Sequence, residues 1–193
     1  MGARGRLIVA SLGLVVLAGG AAYTTGIIHL PITCEGPPAP VWGDNPRGGV
    51  QVADLKEAAP YLAFMPIVPR GLGPAAKFFV GGNKPDMSTK SLIWWYDQPP
   101  YGKFLVNESI TEATQAFIDS LNNNPTGCSL ESVVTLRNGT RAALSLPNPA
   151  AHGGGRGTGG ASIMWLDHGL LITANGYSDT FTKDRAIELA NHF

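Results

Sequence analysis

The chain has 193 residues, with 14 acidic and 14 basic side chains, 25 Gly and 15 Pro. All the acids and 12 of the Lys/Arg residues lie in residues 34–193, which therefore carry a formal charge of −2. No basic face for nucleic acid is present, and a charged fraction of 15% with alternating apolar runs argues for a β-rich globular domain rather than disorder.

Residues 1–6 carry Arg4 and Arg6 and are too short to fold. Residues 7–30 form an apolar segment with no acidic or basic side chain except His29. As a helix, Leu7–Leu30 would rise roughly 35 Å, enough for a bilayer core of about 30 Å. The basic residues precede it, so the remainder is expected outside the cytoplasm, as a single-pass cell-membrane protein. Two readings stay open. The apolar character continues through Ile27, Ile28 and Leu30, which favours a retained anchor. Leu7–Leu17 also has the length of a signal-peptide core, and Gly20-Ala21-Ala22 offers small residues for cleavage and secretion. Acylation of Cys34 is disfavoured, because Leu30-Pro31-Ile32-Thr33 lacks the expected small residues.

The only cysteines are Cys34 and Cys128. An oxidising compartment favours a disulfide between them; two free thiols are the alternative. The bridge would close a loop of about 94 residues and contribute up to roughly 4–5 kcal/mol.

Residues 31–50 are a Pro/Gly-rich linker, and residues 51–193 one extracytoplasmic domain. Leu55, Ala58, Ala59 and Leu62 have the i, i+3, i+4, i+7 spacing of a helix that Pro60 should end or kink. Phe64–Leu72 is extended and pinned by Pro66 and Pro69. Strands are expected at Ala76–Val80, Ser91–Asp97 and Lys103–Glu108. A helix is expected within Thr111–Leu121, with Ala113, Ala116, Phe117 and Leu121 on its buried face. Leu130–Leu136 and Thr140–Leu146 flank Arg137-Asn138-Gly139, where Asn-Gly suggests a type I′ turn. Ser162–Leu166 and Leu170–Ala174 flank Asp167-His168-Gly169, a second hairpin. Thr182–Phe193 closes the chain as a helix capped by Thr182, with Ala186, Leu189, Ala190 and Phe193 as its stripe. The expected fold is α+β: a mostly antiparallel sheet of about six to seven strands packed with two to three helices, after one N-terminal transmembrane or signal helix.

The order of these segments resembles a bacterial extracytoplasmic family of unknown function found in anti-sigma-factor-like membrane proteins. It is also loosely similar to the C-terminal domain of MucB/RseB-type periplasmic regulators. Four pieces carry the resemblance: Leu55–Phe64 through Pro69, Leu92–Tyr96, Val133–Ala143, and Met164–Gly169 with Ala186–Ala190. The resemblance covers about residues 52–193 and implies a non-catalytic sensing or interaction domain, with no catalytic residues to transfer. The short N-terminus has no room for a sigma-binding domain, so an anti-sigma role is not carried over, and His152–Gly160 is an extra loop.

Chemistry-bearing motifs are sparse. Gly155-Arg156-Gly157-Thr158-Gly159-Gly160 fits G-x-G-x-x-G, but a strand-like segment follows where a dinucleotide loop needs a helix. Asp167 and His168 are neighbours expected to point apart in a solvated turn. His29, His152 and His192 have no metal-ligand spacing, and no G-x-S-x-G elbow occurs. Asn107 and Asn138 head N-glycosylation sequons that matter only in a eukaryotic secretory pathway. Trp94, Trp95 and Tyr96 alternate across a strand: both faces are covered, or one is an open platform, helped by Tyr101, for a glycan or lipid. The leading expectation is a membrane-anchored, non-catalytic binding or sensing domain with an envelope protein partner, no nucleic acid and no cofactor. The alternatives are an envelope lipid or glycan carrier built on Trp94, Trp95, Tyr96 and Tyr101, and an envelope hydrolase drawing on Asp167, His168 and Asp97.

Overall fold

The computed structural model describes residues 32–33, 43, 49–81, 91–121, 128–148, 151–152 and 160–193. The apolar segment 7–30, Cys34, most of the linker and the glycine run 155–159 lie outside the described residues. The chain divides into two units, Met1–Ile32 and Thr33–Phe193, and the elements below belong to the second.

Eight strands form one sheet: β1 (Val50–Val52), β2 (Lys77–Val80), β3 (Ser91–Gln98), β4 (Gly102–Ile110), β5 (Ser129–Thr135), β6 (Arg141–Pro147), β7 (Ser162–Asp167) and β8 (Leu170–Gly176). The spatial order is β1-β2-β3-β4-β8-β7-β6-β5, antiparallel throughout. The sheet is thus two four-stranded meanders. After β4 the chain crosses to the far edge, and the second meander works back until β8 pairs with β4. Their seam runs from Leu170 opposite Ile110 to Gly176 opposite Phe104. The domain is α+β, and its strand count exceeds the expected six to seven because Val50–Val52, at the linker boundary, pairs with Phe78–Val80.

The helices are α1 (Leu55–Ala58), α2 (Gln115–Ser120) and α3 (Lys183–Ala190). Asp54 caps α1 by accepting from the N–H groups of Lys56 and Glu57, and a 3-10 turn containing Pro60 follows it. Thr182 caps α3 by accepting from the Arg185 N–H. Within the segment Thr111–Leu121 only the second half is helical, since its start is extended. Its buried residue is Ile118, whereas Phe117 is 44% exposed, so the face expected from Ala113, Ala116, Phe117 and Leu121 is wrong. The shorter helix lies against β6 and β7 with a different rotation, set by tertiary contact rather than by its own periodicity.

One sheet face carries the main core. Leu92, Trp94, Tyr96, Phe104, Val106, Ile163, Trp165 and Ile172 meet Ala58 of α1 and Ala186, Leu189 and Ala190 of α3 there. Each large side chain buried in this way contributes about 1.5–3 kcal/mol. The opposite face holds a smaller cluster of Phe79, Ile93, Trp95 and Leu105 against Tyr177.

The two hairpins differ. His168 and Gly169 both have positive φ, 47° and 80°, the two-residue type I′ geometry. At Arg137-Asn138-Gly139 only Gly139 does, with φ 85°, and the Gly139 N–H donates to the Leu136 carbonyl at 3.0 Å. This is a three-residue loop with glycine in the left-handed position, not the expected type I′ turn.

Candidate functional site

The chain from Phe64 to Leu72 forms a strap without regular structure. Pro66 and Pro69 hold its backbone extended and remove two donors that would otherwise need partners. The remaining polar groups tie it down. The Ile67 N–H donates to Glu108 Oε2 at 3.1 Å. The Arg70 N–H donates to the His192 carbonyl at 2.8 Å, and His192 Nδ1 bonds back to the Arg70 carbonyl. A ring nitrogen facing a carbonyl must carry its proton, and the other ring nitrogen of His192, Nε2, shares a hydrogen bond of 3.1 Å with the Tyr101 hydroxyl.

Opposite the strap is the Asp167–Leu170 turn. Between them lies a cavity of about 470 Å³, lined by Phe64 to Val68 and Arg70 on one side and by Asp167, His168 and Leu170 on the other, with Phe193 completing the lining. Phe193 stands edge-on to the buried Trp165, centroids 5.4 Å apart. On the strap, Met65 is 87% and Val68 59% exposed, large apolar groups left in solvent where the cavity opens. Contrary to expectation, Asp167 and His168 do not point apart: His168 Nδ1 lies 2.7 Å from Asp167 Oδ1. The left-handed backbone at His168 brings its ring back onto the preceding carboxylate.

Glu108 lies beneath the strap on β4. It is fully buried, between Leu92 on β3 and Ile172 on β8. Its Oε2 has the Ile67 N–H, but its Oε1 has no hydrogen-bond partner. Burial pushes the carboxyl up to about 8; the Ile67 N–H pulls it down, and the Asp167 carboxylate pushes it up. Glu108 is therefore mostly neutral at pH 7. Burial, reinforced by Glu108, also raises Tyr96 on the same face. Trp94 stands diagonally from Glu108, and its indole Nε1–H is buried and without a partner. Two unsatisfied polar atoms on one patch of an otherwise apolar core need an explanation other than packing.

A second cavity, of about 380 Å³, lies between the β5–β6 loop and α3, with Arg137, Asp184, Glu188 and Asn191 among its lining residues. There Asn191 Oδ1 accepts from the Arg137 N–H at 2.7 Å.

The aromatic platform must be corrected. Trp94, Trp95, Tyr96 and Tyr101 are 3%, 0%, 1% and 3% exposed. Tyr96 stacks on Phe104 at 4.7 Å, and Trp95 packs on Tyr177 at 5.1 Å, so both faces of β3 are consumed in packing. Asp97 does not join Asp167 and His168. It pairs with Lys103 at the opposite end of β4, about 20 Å along the strand from the Asp167 turn. Asn107 is 8% exposed inside the sheet, whereas Asn138 is at an exposed loop tip. Cys128 is disulfide-bonded, and the one other cysteine of the sequence, Cys34, lies outside the described residues. Among the described residues no helix is long and apolar enough to cross a membrane, and no three His, Cys, Asp or Glu residues gather as metal ligands.

Sequence inspection missed Glu108. The available signal was its phase: Phe104, Val106, Glu108 and Ile110 share one face of β4, and a carboxylate at a core position is a conflict worth noting.

No protein-family model, curated protein or solved structure matches the chain.

Proposed function

We propose that residues 51–193 are an extracytoplasmic, non-catalytic binding domain held at the cell membrane by residues 7–30, and that the cavity between the strap and the Asp167–Leu170 turn receives an envelope protein partner. The observation that carries this reading is the exposure of Met65 and Val68, on an otherwise well-anchored strap, beside a cavity of about 470 Å³. Large apolar side chains next to a concavity, with charged groups alongside, are the usual make-up of a protein-docking patch. Arg70 and Asp167 supply the charged groups, with the polar ring of His168 beside them. Burial of Trp94, Trp95, Tyr96 and Tyr101 weighs against the glycan or lipid platform.

The test places a photo-reactive side chain at position 65 of the full-length chain in its native envelope. A recurrent protein adduct that is lost when Val68→Asp is added supports the proposal. A lipid adduct in its place would shift the function to a carrier. Turnover of an envelope substrate by the purified chain would overturn the non-catalytic assignment.

A further inference from the structure

We propose that the strap Phe64–Leu72 is a pH-responsive latch on the cavity, seated while the Glu108 carboxyl is neutral and lifted when it ionises. The inference deepens the binding role proposed above, but its physical core stands without it.

The geometry carries three points. First, Glu108 is sealed on the core side: Leu92 and Ile172 flank it in register across β3 and β8, and both are fully buried. Second, its single described donor is the Ile67 N–H of the strap, while Oε1 has none. A carboxylate in that position would hold a full charge against one donor, well short of what a buried charge needs. Third, the strap is the element able to yield. It makes no strand pairs through Phe64–Leu72, and Met65, Val68 and Arg70 are exposed, whereas β3, β4 and β8 are locked into continuous ladders. When the charge appears, hydrating it by lifting the strap gives up the packing of Phe64, Ile67 and Leu72 on the edge of the core but leaves every ladder intact; hydrating it from the sheet side breaks the ladders and the core itself.

The groups around Glu108 set the direction. Asp167 at the end of β7 opposes ionisation. Tyr96 on β3 is itself held neutral by burial and supplies no positive charge. From α3, Arg185 and Glu188 act on Tyr101. On the strap, Arg70 lines the cavity, and its backbone is fixed on both sides by His192. His192 thus holds the C-terminal end of the strap as a hinge while Ile67 is the point released. Raised burial cost and the neighbouring Asp167 together put the transition near pH 8.

The experiment is amide hydrogen exchange on the full-length chain in detergent, at about pH 6 and about pH 9, corrected for intrinsic exchange chemistry. Protection of strap amides is expected to fall about tenfold or more between the two, while β3, β4 and β8 keep theirs. In Glu108→Gln, which cannot ionise, strap protection should be the same at both. Equal strap protection in the wild type at both pH values, or the same loss in Glu108→Gln as in the wild type, overturns the latch. Should Glu108→Gln not fold, the infrared carboxyl band of the wild-type chain decides: a buried acid titrating near pH 8 supports the latch, and no protonated acid above about pH 6 overturns it. Neither measurement involves a partner. Failure of the binding role, seen by crosslinking at position 65, is therefore separable from failure of the latch.

Discussion

The two cavities are of similar volume, about 470 and about 380 Å³, yet they differ in what lies behind them. The cavity beside α3 is bordered by Asn191 and Glu188, whose side chains are paired. Asn191 takes the Arg137 N–H and donates to the Ile187 carbonyl, and Glu188 pairs with Arg185. The strap cavity is backed by a fully buried carboxyl with one oxygen unused and by exposed Met65 and Val68. A concavity with no buried polar atom left unpaired among its lining residues follows from packing. One that retains an unsatisfied acid and solvated apolar groups carries costs that folding alone does not require.

The largest effect expected from breaking this contrast is at Glu108. Between its ordinary value of 4.5 and about 8 the folded state holds a proton that the unfolded state has lost. Its contribution to stability is therefore complete below about pH 4.5 and declines as the pH rises through about 8. The total is on the order of 5 kcal/mol. Urea denaturation of Glu108→Gln should lack this decline and leave it more stable than the wild type at pH 8; an unchanged slope would refute the assignment.

Phe193→Ala should come next. It removes the ring against Trp165 and enlarges the strap cavity, at a cost of about 2 kcal/mol in the denaturation midpoint. In the other cavity, Asn191→Ala leaves the Arg137 N–H without its acceptor, for about 1 kcal/mol. Gly169→Ala tests the hairpin beside the strap. No atom lies within 4 Å of the new methyl, so any cost, about 1 kcal/mol, is the left-handed backbone alone. Glu188→Gln, on the surface of α3, should change stability by less than about 0.5 kcal/mol. A larger loss there would mean that the two cavities are less different than the geometry says.

Much of the fold was legible because its signals are local. Strand spans from Lys77 to Gly176 follow short apolar runs, continuous in the central strands and alternating in β7 and β8, and the stops follow Gly, Pro and Asn. The errors came where tertiary contact overrode local pattern. Val50–Val52 is too short to announce itself and exists because β2 offers an edge. Ile118, not the stripe through Phe117, is buried because the sheet surface under α2 selects that rotation. The candidate site was less legible. Trp94, Trp95 and Tyr96 drew attention by composition, yet aromatic rings are equally good core residues. Glu108 was passed over because a carboxylate in a strand usually faces water.

By itself the sequence determined the class of this domain, its hairpins and its capped closing helix. Those properties depend on residues within a few positions of one another. Only the tertiary structure decided that β8 returns to pair with β4, in the register that sets Leu170 opposite Ile110. That pairing carries the Asp167 turn to the end of the sheet where the strap crosses, and it seals Glu108 between Leu92 and Ile172. Pairing between distant strands follows the total burial of two faces at once, and no window of the sequence contains both.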